Sequence, residues 1–320
     1  MLLEGRVIRS QSRSFEIETD SGPVKAVVLK GLRSRYPDLV DPVAVGDSVT
    51  LRLGAGAEAT IEEVHPRRNR LSRPAVGQGQ VEQTIAANVG RAIIVQAASP
   101  SWKTATWDRY LVMVSAGGVP AALCLNKIDL APDEAESKDL DVYRDLGIPV
   151  IATSAKTGQG IEGLRELLRG GPSVFIGPSG AGKSSLINTL SPGSGLRTGP
   201  LSRSTGKGRH TTTWVELLKF GDGIEVVDSP GLRVLGLWGI GAEDLALHFP
   251  EFTRLPGHCR FPRCSHVHEP DCIVREALEA GRIAPFRFDS YVRIRETLLE
   301  SDRGASAPRR RFRPTSRNRS

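Results

Sequence analysis

Two short motifs occur in an order that restricts the folds open to this chain. Asn126-Lys-Ile-Asp129 closes the apolar run "AALCL", and only later does Gly177-Pro-Ser-Gly-Ala-Gly182-Lys183-Ser184 follow the run "SVFI". The second fits G-x-x-x-x-G-K-[ST] between an expected strand and an expected helix, the context in which such a loop cradles phosphates. Its glycines let backbone N–H groups close on phosphate oxygens, Lys183 carries positive charge to the β and γ phosphates, and Ser184 offers a magnesium ligand. Pro178, Ser179, Gly180 and Ala181 form the loop between the glycines, and Ser185 continues the nucleotide-facing stretch. The loop does not choose between ATP and GTP. Asn126, Lys127, Ile128 and Asp129 do: the Asp129 carboxylate can accept hydrogen bonds from the guanine N1–H and 2-amino group. Adenine lacks that donor pair, and a buried acceptor left unpaired makes the discrimination large. Ser154, Ala155 and Lys156, after the apolar run "IPVIAT", match the companion loop whose backbone amide reads guanine O6.

Further along, Asp228-Ser-Pro-Gly231 follows "GIEVV", where the magnesium-sensing Asp and γ-phosphate-sensing Gly of a switch would stand. Between phosphate loop and switch lies "GKGRHTTT" (206–213), in which Thr212 is assigned to magnesium, with Thr211 the next candidate. All five GTPase motifs are therefore present but cyclically permuted: base motif, companion loop, phosphate loop, threonine loop, switch. Domain termini usually lie close together at the surface, so rejoining them and cutting elsewhere preserves the fold. The new join falls at the turn Gly170-Gly-Pro172. Runs such as "RAIIVQAA" and "PSVFIG" are near-continuous and apolar, as parallel strands buried on both faces require, and "GIEGLRELLRG" and "KSSLINTL" read as helices between them. An α/β P-loop GTPase domain is predicted over 73–245. Leu232, directly after Gly231, cannot orient water as the glutamine of many Ras-like enzymes does, so slow turnover is expected until a partner orders the loop.

The flanks differ in texture. Over residues 1–72, five β-rich runs separated by turn signals such as Asp20-Ser-Gly22 predict a small β-barrel, an OB-fold, with an SH3-like barrel as the alternative. "HPRRNRLSRPAVGQGQ" (65–80) reads as a basic linker. Over 246–302, Cys259-x4-Cys264-x-His266-x5-Cys272 offers three thiolates and an imidazole, enough for a closed tetrahedral zinc site in a mainly α unit; His268 is the competing imidazole, and His258 adjoins the first cysteine. Cys124, inside an expected buried strand, reads as core. The formal charge is +7, and the seven arginines of residues 303–320, a stretch without an acid, equal it. Basicity is thus local, in an Arg-rich tail expected to stay disordered until it meets a polyanion. Four cysteines are too few for a disulfide scaffold. No stretch approaches the roughly 20 apolar residues of a membrane span, and "MLLEGRVIRS" lacks a signal peptide's apolar region. A cytoplasmic protein with no membrane partner is expected.

The permuted order, together with "GRHTTT" and the cysteine pattern, resembles the circularly permuted GTPases, and among them the ribosome small-subunit-dependent GTPase A proteins, RsgA, over nearly the whole chain. The resemblance implies a GTP hydrolase that binds GTP and GDP, acts late in maturation of the small ribosomal subunit, contacts its rRNA and is stimulated by it. It selects Cys259, Cys264, His266 and Cys272 for one structural zinc, and Ser184 and Thr212 for magnesium held with the nucleotide. It also points to His210 as the group orienting the attacking water, beside Lys183 and Thr212 in the expected catalytic set. The Arg-rich tail is not part of the resemblance. A monomer is expected. The alternative is a GTP-gated RNA-binding module whose hydrolysis is incidental; turnover with and without small subunits separates the two. An ATP-dependent enzyme is opposed by Asn126 and Asp129.

Overall fold

The computed structural model of the chain describes residues 1–11, 13–54, 58–75, 78–99, 102–190, 214–228 and 237–306. Strands β1 (Leu2–Gln11), β2 (Ser14–Thr19), β3 (Gly22–Val28), β4 (Ser48–Leu53) and β5 (Glu58–Val64) pair in the order β1-β2-β3-β5-β4. β4 returns to pair with β1, so the barrel is closed. Period-two alternation builds it: Phe15, Ile17, Val49, Leu51, Ala59 and Ile61 are buried inside, while Glu16, Glu18, Thr50 and Thr60 keep contact with water. The five-stranded OB-type barrel read from the runs is the one formed.

Residues 65–80 are not a linker. β6 (Arg70–Ala75) and β7 (Gln78–Ala87) form an antiparallel hairpin. Pro74 has no N–H to give, and β6 tolerates it because, among the described residues, β6 pairs only with β7 and is an edge strand. Asn69 fastens the hairpin base: its Nδ2 donates to the Val89 carbonyl and its Oδ1 accepts the Val89 N–H, both at 2.8 Å. β6 also spans residue 72, where the barrel was expected to end.

The central unit alternates β8 (Arg91–Ala97), α1 (Thr104–Ala116), β9 (Ala121–Asn126), α2 (Lys138–Asp145), β10 (Val150–Thr153), α3 (Ile161–Leu168), β11 (Ser173–Ile176) and α4 (Lys183–Leu190), followed by β12 (Trp214–Lys219) and β13 (Glu225–Asp228). Its strands lie in the order β10-β9-β8-β11-β13-β12. All but β12 run parallel, and Ile93, Ile94, Leu123 and Val174 are wholly buried between helices on both faces. β11 carries the phosphate loop; it comes fourth among these strands in the chain yet lies in the middle of the sheet. The join works because Gly171 takes a left-handed φ of 135° and the Gly90 N–H donates to the Pro172 carbonyl at 2.7 Å, docking the turn beside β8.

Barrel and central sheet are continuous. The end of β1 pairs antiparallel with β12, Arg9 opposite Glu216 and Gln11 opposite Trp214. Arg6 clamps the seam by binding Glu225 at 2.7 and 2.5 Å and Glu18 at 3.0 Å, with Arg9–Glu216 and Lys219–Glu18 ion pairs alongside.

The C-terminal unit holds α5 (Pro250–Thr253), α6 (Ile273–Glu279) and α7 (Pro285–Ser306) around Phe249, Phe252 and Tyr291. Arg287 of α7 is buried and joins this unit to the central one, donating to Asp108 of α1 at 2.5 Å and forking onto Glu251 at 2.7 and 3.1 Å. α7 runs to Ser306, so residues 303–306 are helical and not the start of a disordered tail; residues 307–320 lie outside the described ones. Among the described residues, no helix is long and apolar enough to cross a membrane.

Candidate nucleotide site and metal centre

The phosphate loop leaves β11 at Gly177 and enters α4 at Lys183, so the N-terminus of α4 faces the loop. Two glycines are obligatory by geometry. Gly177 has φ 137° and a Cβ there would lie 2.0 Å from the Val95 carbonyl oxygen; Gly182 has φ 92° and its Cβ would lie 2.2 Å from Asn126 Nδ2. Lys183 Nζ donates to the carbonyls of Gly177 and Pro178 at 2.8 Å each, holding the loop curled around its ammonium. Ser184 and Ser185 are exposed on the first turn of α4.

The base side is tied to this loop by one buried side chain. Asn126, last in β9, donates through Nδ2 to the Ala181 carbonyl at 2.9 Å, and its Oδ1 accepts the Thr153 hydroxyl at 3.2 Å and the Ala155 N–H at 3.3 Å. Asn126 therefore braces phosphate loop against companion loop, a role beyond the base motif read from sequence. Lys127 takes φ 66°, turning the chain so that Asp129 faces Ser154, whose hydroxyl donates to Asp129 Oδ1 at 2.6 Å. Asp129 is exposed here, not buried as the discrimination argument supposed, and Ile128 is buried in the core. A cavity of about 370 Å³ opens between Asn126, Lys127, Asp129, Leu130, Ala155, Lys156, Gly182 and Ser185. Leu130, 68% exposed at its rim, was missed in sequence; its only signal is an apolar side chain directly after the acid.

Pro178, Ser179, Gly180 and Ala181 border a second cavity, of about 280 Å³, with Gln96, Trp102, Lys103 and Thr106 from the end of β8 and start of α1. Sequence reasoning also missed these. Asp228 ends β13, in the strand beside β11. His210, Thr211, Thr212 and Gly231 lie outside the described residues.

In the C-terminal unit the ligand atoms of Cys259, Cys264, His266 and Cys272 all lie within 4.8 Å of one another, and the group could hold a metal ion. His266 takes φ 62°, and its Nδ1 is 3.6 Å from Cys259 Sγ and 3.4 Å from Cys272 Sγ. His258 and His268 stay outside the group. Cys124 is core: burial pushes its thiol up to about 12, and its sulfur meets the Thr153 hydroxyl at 3.2 Å.

Residues 64–238 match the family model described as RsgA GTPase. A Haemophilus influenzae (strain 86-028NP) protein named small ribosomal subunit biogenesis GTPase RsgA is 39% identical over 305 residues, covering 93% of this chain and 86% of that protein. A Gemmatimonas aurantiaca protein of the same name is 39% identical over 298 residues, covering 92% of this chain and 97% of that one. Among solved structures, YjeQ from Thermotoga maritima matches with a TM-score of 0.75 at 34% identity, over 93% of this chain and 99% of that one. YloQ, described as a circularly permuted GTPase, matches at 0.72 and 28% identity over 97% of both chains. A phosphate-loop strand at the centre of the sheet, entered by the chain after its base-reading strands, is the permuted architecture of those relatives, and the chain belongs to the RsgA GTPase family.

Proposed function

We propose that this GTPase cycles between GTP and GDP on the small ribosomal subunit, contacts rRNA there, assists the subunit's late maturation and is stimulated by it. The observation that carries the reading is the Asn126 brace: side-chain hydrogen bonds hold a phosphate loop and a base loop, brought together from distant parts of the sequence, around one cavity. Guanine N1–H and 2-amino groups donate to Asp129, whose carboxylate the Ser154 hydroxyl already orients. Phosphates draw Lys183 from the loop carbonyls. Ser184 and Thr212, with Thr211 as the alternative threonine, would hold magnesium and Asp228 would sense it, Gly231 would sense the γ-phosphate, and His210 would orient the water that Leu232 cannot. Magnesium, when bound, would neutralise negative charge on the phosphates.

The metal is zinc. Bond lengths of about 2.3 Å to sulfur and 2.0–2.1 Å to nitrogen give a tetrahedron with edges of about 3.8 Å between sulfurs and 3.6 Å between sulfur and nitrogen. Cys259 and Cys272 sulfurs are 3.8 Å apart, and the two sulfur–nitrogen separations are 3.6 and 3.4 Å. Four protein ligands leave no open position, so the ion is structural. The protein works in the cytoplasm as a monomer; a dimer mass in light scattering, or absence from a cytosolic fraction, contradicts that. GTP turnover is to be measured with purified small or large subunits: acceleration by small subunits alone is expected, and no acceleration, or equal acceleration by both, defeats the reading. Elemental analysis of protein purified in reducing buffer is expected to give one zinc per chain; finding none removes the metal assignment.

A further inference from the structure

A cavity of about 320 Å³ opens where the β6–β7 hairpin meets the end of α1, and it shares no lining residue with either cavity at the phosphate loop. Its walls come from three distant segments: Arg67 to Arg70 with Glu82, then Met113 and Gly117 at the end of α1, then Trp238. The floor is fixed by backbone. Arg70 donates its N–H to the Gly117 carbonyl at 3.1 Å, and a Cβ at Gly117 would lie 2.0 Å from the Arg70 carbonyl oxygen, so no side chain fills the space.

The cations there are not equivalent. Arg67 is spent on the fold, forking onto buried Asp47 at 2.7 Å twice and reaching the Pro42 carbonyl at 2.8 Å. Arg70 gives Nε and Nη2 to Glu82 at 2.6 and 3.3 Å and keeps Nη1. Arg68 is exposed and has no carboxylate partner among the described residues; its guanidinium touches only the Asn88 carbonyl, at 3.4 Å. The cavity thus combines a surplus cation with a half-buried indole and the buried Met113 side chain. An indole beside an exposed guanidinium, in a cavity otherwise lined mainly by polar groups, fits a ligand with a planar ring carried next to an anion.

We propose that this cavity docks one unstacked nucleotide of single-stranded RNA, its base against Trp238 and its phosphate on Arg68 and the free edge of Arg70. The proposal rests on the RNA-contacting reading above and names a place for the contact. An acidic peptide satisfies the cation and leaves the indole without a ring to stack on, so RNA is the better fit.

The test uses the full chain with an eight-nucleotide oligoadenylate and with purified small subunits. In the parent, oligoadenylate is expected to quench tryptophan fluorescence, and Trp238→Phe to remove most of that quench although Trp102, Trp107 and Trp214 remain. Trp238→Ala is expected to weaken oligonucleotide binding about tenfold. Arg68→Ala is expected to flatten the plot of log affinity against log salt by about one unit, a change that loss of packing does not produce. GDP affinity serves as the folding control and is expected to stay at the parent value in all three variants. If Trp238→Phe and Arg68→Ala keep the parent's quench, affinity and salt slope while the parent binds small subunits, the cavity is not the contact and the RNA reading survives elsewhere. If the parent binds neither oligonucleotide nor small subunits, both fall. Preferential binding of polyglutamate over oligoadenylate also overturns the proposal.

Discussion

Asp129 spends one carboxylate oxygen on the Ser154 hydroxyl, and the pairing of its other lone pairs sets the outcome of changing it. In Asp129→Asn the side chain presents a donor where guanine also presents donors. GTP affinity is expected to fall about a hundredfold or more, since two hydrogen bonds to a charged acceptor are lost and a donor clash is added. Xanthosine triphosphate, with an oxygen at position 2, is expected to gain. Competitive titration of both nucleotides checks this, and unchanged GTP affinity removes Asp129 from base reading. Much at this scale was legible in sequence. Gly177, Gly182, Lys183 and Asp129 are dictated by local backbone geometry or by the ligand's own donors and acceptors, and such demands leave a fixed residue type at a fixed spacing. Asn126 was legible as part of a motif but not as a brace, because its partners Ala181 and Ala155 are distant in sequence. The exposure of Asp129 is likewise a property of neighbours, which no four-residue pattern records.

Two elements escaped the sequence for opposite reasons. The β6–β7 hairpin carries Arg, Pro, Gly and Gln, the composition of a linker, because an edge hairpin keeps one side in water and one strand free of ladder demands. The last turn of α7 continues into the arginine-rich stretch because an established helix propagates more readily than one must nucleate. Arg287 of that helix is 2% exposed, lying over the Phe249 ring at 4.7 Å between Asp108 and Glu251. Its removal leaves two carboxylates buried without a cation. Arg287→Ala is therefore expected to cost about 3–5 kcal/mol, a loss larger than the side chain's packing alone accounts for. Chemical denaturation of the nucleotide-bound protein measures it; a cost below about 1 kcal/mol would place this network among ion pairs of little consequence.

At the scale of the whole molecule the motif order already implied a permuted sheet, and the structure has it. What it did not imply is that barrel and GTPase sheet are joined edge to edge, since period and composition describe a strand and never its partner in another domain. The seam has functional reach. β12 begins directly after the threonine loop, and its first residues, Trp214 to Glu216, are those that pair with β1, while β13 ends on Asp228. A change at the threonine loop is thus next to the strand that carries the barrel, and one at Asp228 reaches that strand through its register partner Glu216. Binding to small subunits is expected to be tighter with a non-hydrolysable GTP analogue than with GDP, and the subunit must then shift nucleotide affinity by the same factor. Co-sedimentation in each nucleotide state checks it; identical binding refutes the coupling.

The same seam sets a timetable during synthesis. Arg9 and its partner Glu216 are 207 positions apart, so the first strand to emerge has an edge that stays open until most of the chain has been made. β1 can close its barrel with β4 early, and β8, β9 and β10 can assemble before the phosphate-loop strand exists, but the edge that joins the two units is completed late. Long-range strand pairing of this kind is slow, and an open edge is the part of a nascent sheet most exposed to wrong partners. Arg6 and Arg9 beside that waiting edge are charges that discourage pairing with an apolar stranger; Glu18 and Glu16 of β2 meet them early, and Glu225 and Glu216 add their carboxylates only when the proper strands arrive.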